Sequence, residues 1–278
     1  MSDQATERSS NAERFRELHR PGDPLLMPNP WDIGSARLLG SLGYEALATT
    51  SSGFAATLGR LDGSVTREEA LTHAAAIVAA TDLPVSADLE NCFADDIDGV
   101  AETARGAAAA GLAGFSVEDY SGATSDTIYE LQLAAERVRA AVQAAHAAPG
   151  GPLVVTARYE GFLHGRADVG EAIARLQAYE EAGADVLFAP GPVDPETVSA
   201  IVGAVDRPVN VLARKGAPPV SELGKLGVSR ISVGGALAFA AIGELVAAAR
   251  ELREQGTYGY FDRMAEGVRA VRAAFGPE

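Results

Sequence analysis

Asp88 and Glu90, in "PVSADLENCF" (84–93), stand two positions apart at the end of an apolar run that suits a buried strand. Alternate residues of an extended chain point the same way, so two carboxyls would share one face, repel each other and resist leaving water. A hard divalent cation removes both difficulties. Mg2+ takes oxygen ligands, keeps several waters, and binds through a few carboxylates together with substrate oxygens.

Other polar residues end neighbouring apolar runs. They are Thr49, Thr50, Ser51 and Ser52 before Gly53, then Glu118 with Asp119, Arg158 with Glu160, and Asn210. Asp62 follows in "GRLDG". Asp88, Glu90 and Glu118 could ligate the cation directly or through water. Arg158 could clamp a substrate carboxylate in its planar fork, or pair with Glu118 or Glu160. The 50–52 hydroxyls and N–H groups could take a second anionic group, or form an ordinary turn. Asp62 and Asp119 could equally cap helices. Gly234 and Gly235 read as a tight turn before the last helices. His19 and His164 have no partner at metal-binding spacing and read as surface residues.

These residues need a scaffold that brings many strand ends together. Short apolar runs at 25–30, 44–50, 83–90, 113–118, 152–158, 185–190, 207–213 and 229–235 alternate with Ala-rich amphipathic stretches such as "EEALTHAAAIVAAT" and "EAIARLQAYEEAG". Each stretch is long enough for the crossover helix that parallel strands require. Gly stops in "SLGYE", "AAGLAG", "EAGADV" and "KLGVSR" end helices before the next strand. Eight such units predict a (β/α)8 barrel, an α/β fold whose chemistry sits at the C-terminal ends of the strands. A doubly wound sheet is the runner-up, but no G-x-G-x-x-G follows the first strand. The whole chain, 1–278, reads as one domain, with a helical extension at 1–22 and one or two terminal helices at 236–278.

Net charge is −15, from 23 basic and 38 acidic residues, which argues against nucleic-acid or membrane partners. A single cysteine, Cys92, permits no intramolecular disulfide. The first twenty residues carry no apolar signal-peptide core, and no run approaches the ~18 apolar residues of a membrane span. A cytoplasmic protein is expected.

The motifs "NPWDIGSARLL" (29–39), "TTSSGFAATLGRLDG" (49–63), "PVSADLE" (84–90), "GFSVEDY" (114–120), "TARYEGFL" (156–163), "AYEEAGADVLFAP" (178–190) and "PVNVLA" (208–213) occur in one order and spacing. In this the chain resembles the isocitrate lyase/phosphoenolpyruvate mutase superfamily from about residue 24 to 255. The resemblance implies a (β/α)8 barrel in dimers or tetramers that exchange the last helix. It also implies Mg2+, with Mn2+ as a substitute, held by Asp62, Asp88, Glu90 and Glu118. The substrate would be a small anionic 2-oxo or 2-hydroxy acid bound by Trp31, Thr50, Ser51, Ser52, Asp88, Arg158 and Asn210. Arg158, Glu118, Tyr120 and Glu160 would serve the chemistry, which in the family passes through a Mg2+-bound enolate of pyruvate or a related 2-oxo acid.

Three departures matter. Glu90 stands where the family has a second Asp. The segment "YSGATSDTIYE" (120–130) carries neither the K-K-C-G-H loop of the lyases nor the Lys/Asn loop of the phosphonate mutases. Cys92 stands where the family has Gly. It could replace the lost thiol, or simply pack. Tyr120, Tyr129, Tyr159 and Glu160 are the other possible proton carriers, and a mobile 120–130 lid would close over the site. The expected activity is lysis of a C–C bond in a 2-hydroxy or 2-oxo dicarboxylate. The alternatives are P–C chemistry on a phosphonate, or a barrel that only binds 2-oxo acids.

Overall fold

The computed structural model describes residues 11–122 and 127–276. It contains eight parallel strands: β1 (Leu25–Met27), β2 (Leu47–Ala48), β3 (Val85–Asp88), β4 (Gly114–Glu118), β5 (Val154–Arg158), β6 (Val186–Phe188), β7 (Val209–Leu212) and β8 (Arg230–Ser232). Their order is β1-β8-β7-β6-β5-β4-β3-β2, and the turn from β2 back to β1 is bridged by the Ala48 N–H to the Pro28 carbonyl at 3.1 Å. This is the expected (β/α)8 barrel, with each predicted strand present and shorter. β1 ends at Met27 because Pro28 and Pro30 have no N–H to extend the ladder.

A helix over 11–17 (α1) precedes the barrel. Around it run α2 (Ile33–Ser41), α3 (Ser51–Thr57), α4 (Arg67–Val78), α5 (Ile97–Ala109), α6 (Leu131–His146), α7 (Val169–Glu181), α8 (Pro195–Gly203) and α9 (Val220–Lys225). The terminal pair is α10 (Ala236–Arg250) and α11 (Phe261–Phe275). Side-chain caps start many of these helices, as with Asp32 on Ser35 and Thr66 on Glu69, where the third residue also caps back. The glycines read as stops, Gly43, Gly111, Gly183 and Gly227, all have φ between 83° and 100°. That left-handed conformation is open to glycine without the Cβ clash, so the chain leaves each helix and turns into a strand.

α1 closes the N-terminal end of the barrel. Phe15 and Leu18 pack there with Leu25, Ala46, Ala113, Val154 and Val186, which sit at or before the strand starts. His19 follows and is buried rather than on the surface. Its Nδ1 lies 2.8 Å from the Phe15 carbonyl and its Nε2 3.1 Å from Arg230 Nη1. Arg has no lone pair to offer, so Nε2 accepts and Nδ1–H donates to Phe15. Burial and the Arg230 charge lower the His19 pKa to about 3.

Asn29 fastens the other end. Its Oδ1 accepts from the N–H groups of Val233 and Gly234, and its Nδ2 donates to the Thr49 carbonyl. The Gly234–Gly235 segment is therefore a turn whose N–H at Gly234 is already used, as the sequence reading has it. Of the terminal pair, α11 packs back on α2, where the Arg37 guanidinium lies 5.6 Å from the Phe275 ring.

Candidate functional site

Asp88 ends β3 and Glu90 lies in the turn that follows. Glu90, Cys92 and Phe93 all have left-handed backbone, with φ of 48°, 60° and 52°. Non-glycine residues hold that region only when their surroundings impose it. Here the imposing group is Arg137 of α6, fully buried, which donates to the carbonyls of Asn91, Ala94 and Asp95 at 2.7 Å each. The Thr103 hydroxyl adds a bond to the Cys92 carbonyl. Nothing in the local sequence of 84–93 announces this clamp, because Arg137 is supplied from more than forty residues away. Cys92 itself is buried off the cavity and its thiol is pushed up to about 12 by burial, so it packs and does not exchange protons at neutral pH.

Asp88 is held from the β2 side. Its N–H donates to Thr49 Oγ1 and its Oδ2 accepts from the Ser51 N–H. Thr50 caps α3 through Gly53 N–H, while Ser51 and Ser52 line the cavity. Arg158 is the hub. Its Nη1 lies 2.8 Å from Glu118 and 3.6 Å from Asp88, its Nε bonds Glu160, and its guanidinium sits 5.2 Å from the Phe188 ring. Glu118 and Arg158 are direct ladder partners, which explains why β4 and β5 deliver them together.

Arg158 divides the mouth of the barrel into two lobes. An outer lobe of about 340 Å3 is lined by Glu90, Glu118, Tyr120, Glu160, His164 and Asp62, among others. An inner lobe of about 270 Å3 descends into the barrel past Ser52, Asp88 and Asn210 to Arg230. His164 is exposed at the outer rim, stacked on Tyr120 at 3.8 Å, with Nε2 4.0 Å from Glu160. The predicted site residues thus converge, with one exception. Trp31 lines neither lobe; it stands behind Gly53, and its carbonyl bonds His73.

The remaining proton-carrier candidates separate by position. Tyr129 lines neither lobe and bonds Asp95 and Asn91, and Tyr159 is buried beneath Gly161 with its phenol raised to about 12 by burial. Tyr120 and Glu160 face the outer lobe. Asp119 is structural: it takes bonds from Glu160 N–H, Arg175 and Tyr179, tying β4, β5 and α7 together. Tyr120 and Ile128 bridge the ends of the segment expected to act as a lid, whose residues 123–126 lie outside those described.

The outer lobe holds five carboxylates, Asp62, Glu90, Glu118, Glu160 and neighbouring Asp88, around one guanidinium. Protons make up part of the deficit. Burial and the Asp88 charge raise Glu90 to about 8, and burial holds Glu118 well above the usual carboxylate range. Asp88 Oδ1 and Glu90 Oε1 are buried with no hydrogen-bond partner among the described residues. Among the described residues no three acidic, His or Cys side chains stand close enough together to ligate an ion by themselves. The oxygen-only donors, the two orphaned oxygens and the negative surplus fit a hard divalent cation that keeps several of its waters.

The sequence profile of the phosphoenolpyruvate phosphomutase family matches residues 15–253. A crystal structure of a Burkholderia cenocepacia J2315 protein, provisionally described as a lyase/mutase, is 48% identical with a TM-score of 0.93. The match covers 98% of this chain and 99% of that one. An uncharacterized protein of Mycobacterium tuberculosis is 33% identical over 79% of this chain and 81% of its own length. An oxaloacetate decarboxylase of Paraburkholderia xenovorans is 31% identical over 76% of this chain and 70% of its own.

Proposed function

The chain belongs to the phosphoenolpyruvate phosphomutase family of the isocitrate lyase/phosphoenolpyruvate mutase superfamily, a superfamily of lyases and mutases, and from that premise we propose that it is a Mg2+-dependent lyase. The substrate is a small 2-hydroxy or 2-oxo dicarboxylate, cleaved at the bond to C3 with release of pyruvate or a close relative. One observation carries this reading: Asp88 and Glu90 present orphaned buried oxygens beside Arg158 at the C-terminal mouth of the barrel.

Asp62, Asp88, Glu90 and Glu118 would hold the cation, with Mn2+ able to substitute for it. Bound there, it would supply Lewis-acid charge for the negative charge that develops as the C–C bond breaks. Arg158 exchanges a carboxylate of its own site for one of the substrate, which its fork accepts without loss of charge balance. Ser51 and Ser52 orient the oxo-acid end. Glu160, facing the outer lobe at 4.0 Å from His164, and Tyr120 beside it are the groups able to move a proton there. The 120–130 segment would cover the outer lobe and exclude water.

The missing Lys and Cys in that segment distinguish this chain from lyases and mutases that use them. A change in the phosphorus-31 spectrum of added phosphonopyruvate would favour P–C chemistry instead. The crowding of Asp88, Glu90, Glu118 and Glu160, all partly or fully buried around one guanidinium, argues against a barrel that only binds.

The test is calorimetric titration of oxalate, an enolate mimic, with Mg2+ and again with EDTA. Binding that needs Mg2+ and is lost in Asp88→Ala supports the reading. Equal titration with and without the metal overturns it. We further propose that the chain works as a homodimer or homotetramer.

A further inference from the structure

Arg230 has no place in the chemistry above. It lies on β8 inside the barrel, 2% exposed, and still lines the floor of the inner lobe. Its Nε donates to Asn210 Oδ1, its Nη1 to His19 Nε2 and its Nη2 to Thr156 Oγ1, at 3.0, 3.1 and 3.0 Å. All three acceptors are neutral. Among the described residues no carboxylate pairs with it, and burial alone lowers it to about 9, still charged at neutral pH. A cation buried without a counter-charge is costly where an apolar side chain would fill the same space.

The surroundings keep the guanidinium available to an anion. Its fork has five N–H donors, and three are used. Because Asn210 Oδ1 accepts from Arg230, its Nδ2 donates to Ser232 Oγ at 3.0 Å, which leaves the Ser232 hydroxyl proton for another acceptor. Ser232 lines the same lobe. The cavity is thus polarised along its length, with carboxylates at the mouth and donors at the floor.

We propose that the inner lobe is an anion subsite in which Arg230 and Ser232 receive the second carboxylate of the substrate while the first engages Arg158. This rests on the reading that Arg158 and the acidic mouth form the substrate site. The spacing fits. Thr156, bonded to Arg230, precedes Arg158 by two residues on β5, a rise of about 7 Å. That separation suits a dicarboxylate of roughly four or five carbons lying along the barrel axis.

The experiment titrates the full chain with oxalate, malate and malate 4-monoamide, in Mg2+ and in EDTA, for the unmodified protein, Arg230→Met, Arg230→Lys and Ser232→Ala. In the unmodified protein malate is expected to bind at least about tenfold more tightly than the monoamide. Arg230→Met and Ser232→Ala should reduce that ratio toward one, Arg230→Lys should retain part of it, and oxalate should bind all variants alike. Equal binding of malate and monoamide in the unmodified protein overturns the proposal. So does an Arg230→Met variant, folded by circular dichroism, in which oxalate and malate fall together, or the absence of malate binding. Ser232→Ala and the monoamide comparison decide the matter even if Arg230→Met does not fold. Loss of metal-dependent oxalate binding with the Ser232-dependent malate ratio intact would sink the cation reading and leave this subsite standing.

Discussion

Single side chains set the chemistry here, and their legibility in the sequence depended on whether their partners were near in sequence. Asp88, Glu90, Glu118 and Arg158 could be read because each ends an apolar run, and strand ends in a barrel share one rim. His19 could not. Nothing in "RFRELHRPG" says that the residue after α1 will accept a hydrogen bond from an arginine more than two hundred positions later. Its burial has a measurable consequence. The folded protein keeps His19 neutral down to about pH 3, whereas the unfolded chain takes up a proton near pH 6.5. The unfolded state therefore binds more protons between those values, so stability falls as pH drops through that window, by up to about 1.4 kcal/mol per pH unit. Urea unfolding from pH 4 to 7 should show a slope smaller by about one proton in His19→Gln than in the unmodified chain. Identical slopes would mean that His19 is not neutral when folded.

At the scale of elements, Gly stops and capping residues made strand and helix positions readable, and proline explains why β1 ends early. The turn that presents Glu90 was opaque, because its left-handed conformation is imposed by Arg137 from α6. Replacing Arg137 by Leu removes three bonds to the carbonyls of Asn91, Ala94 and Asp95 and frees three strained residues. A loss of about 3 kcal/mol in urea stability is expected, since buried acceptors are left unmatched. Metal-dependent oxalate binding should weaken as well, by more than in a core substitution of equal cost elsewhere, such as Leu223→Ala in the α9 cluster. If both substitutions weakened binding equally, the turn would not be the positioning device.

The whole molecule leaves one surface unexplained by its own packing. Phe239, Leu245, Tyr258, Phe261 and Met264, on the terminal helices and the connection between them, are each about half exposed or more. Such a patch marks an interface more often than a bare monomer surface. Light scattering after size exclusion should give a dimer or tetramer, and Leu245→Glu with Met264→Glu should shift it toward the monomer while far-UV circular dichroism stays unchanged. A monomeric unmodified chain would refute the assembly. The −15 charge opposes association at low salt, so the equilibrium should tighten as ionic strength rises toward physiological values.

The barrel is not equally sewn all round. β2 has only two residues, and the Ala48–Pro28 hydrogen bond with the Asn29 clasp joins it to β1. Amide exchange should therefore begin at this seam, well before the β4–β5 ladder gives up its protons. The same seam runs directly into Thr49, Ser51 and Ser52. A ligand gripping that turn would draw the two edges together, so occupancy of the site and closure of the cylinder become one thermodynamic event.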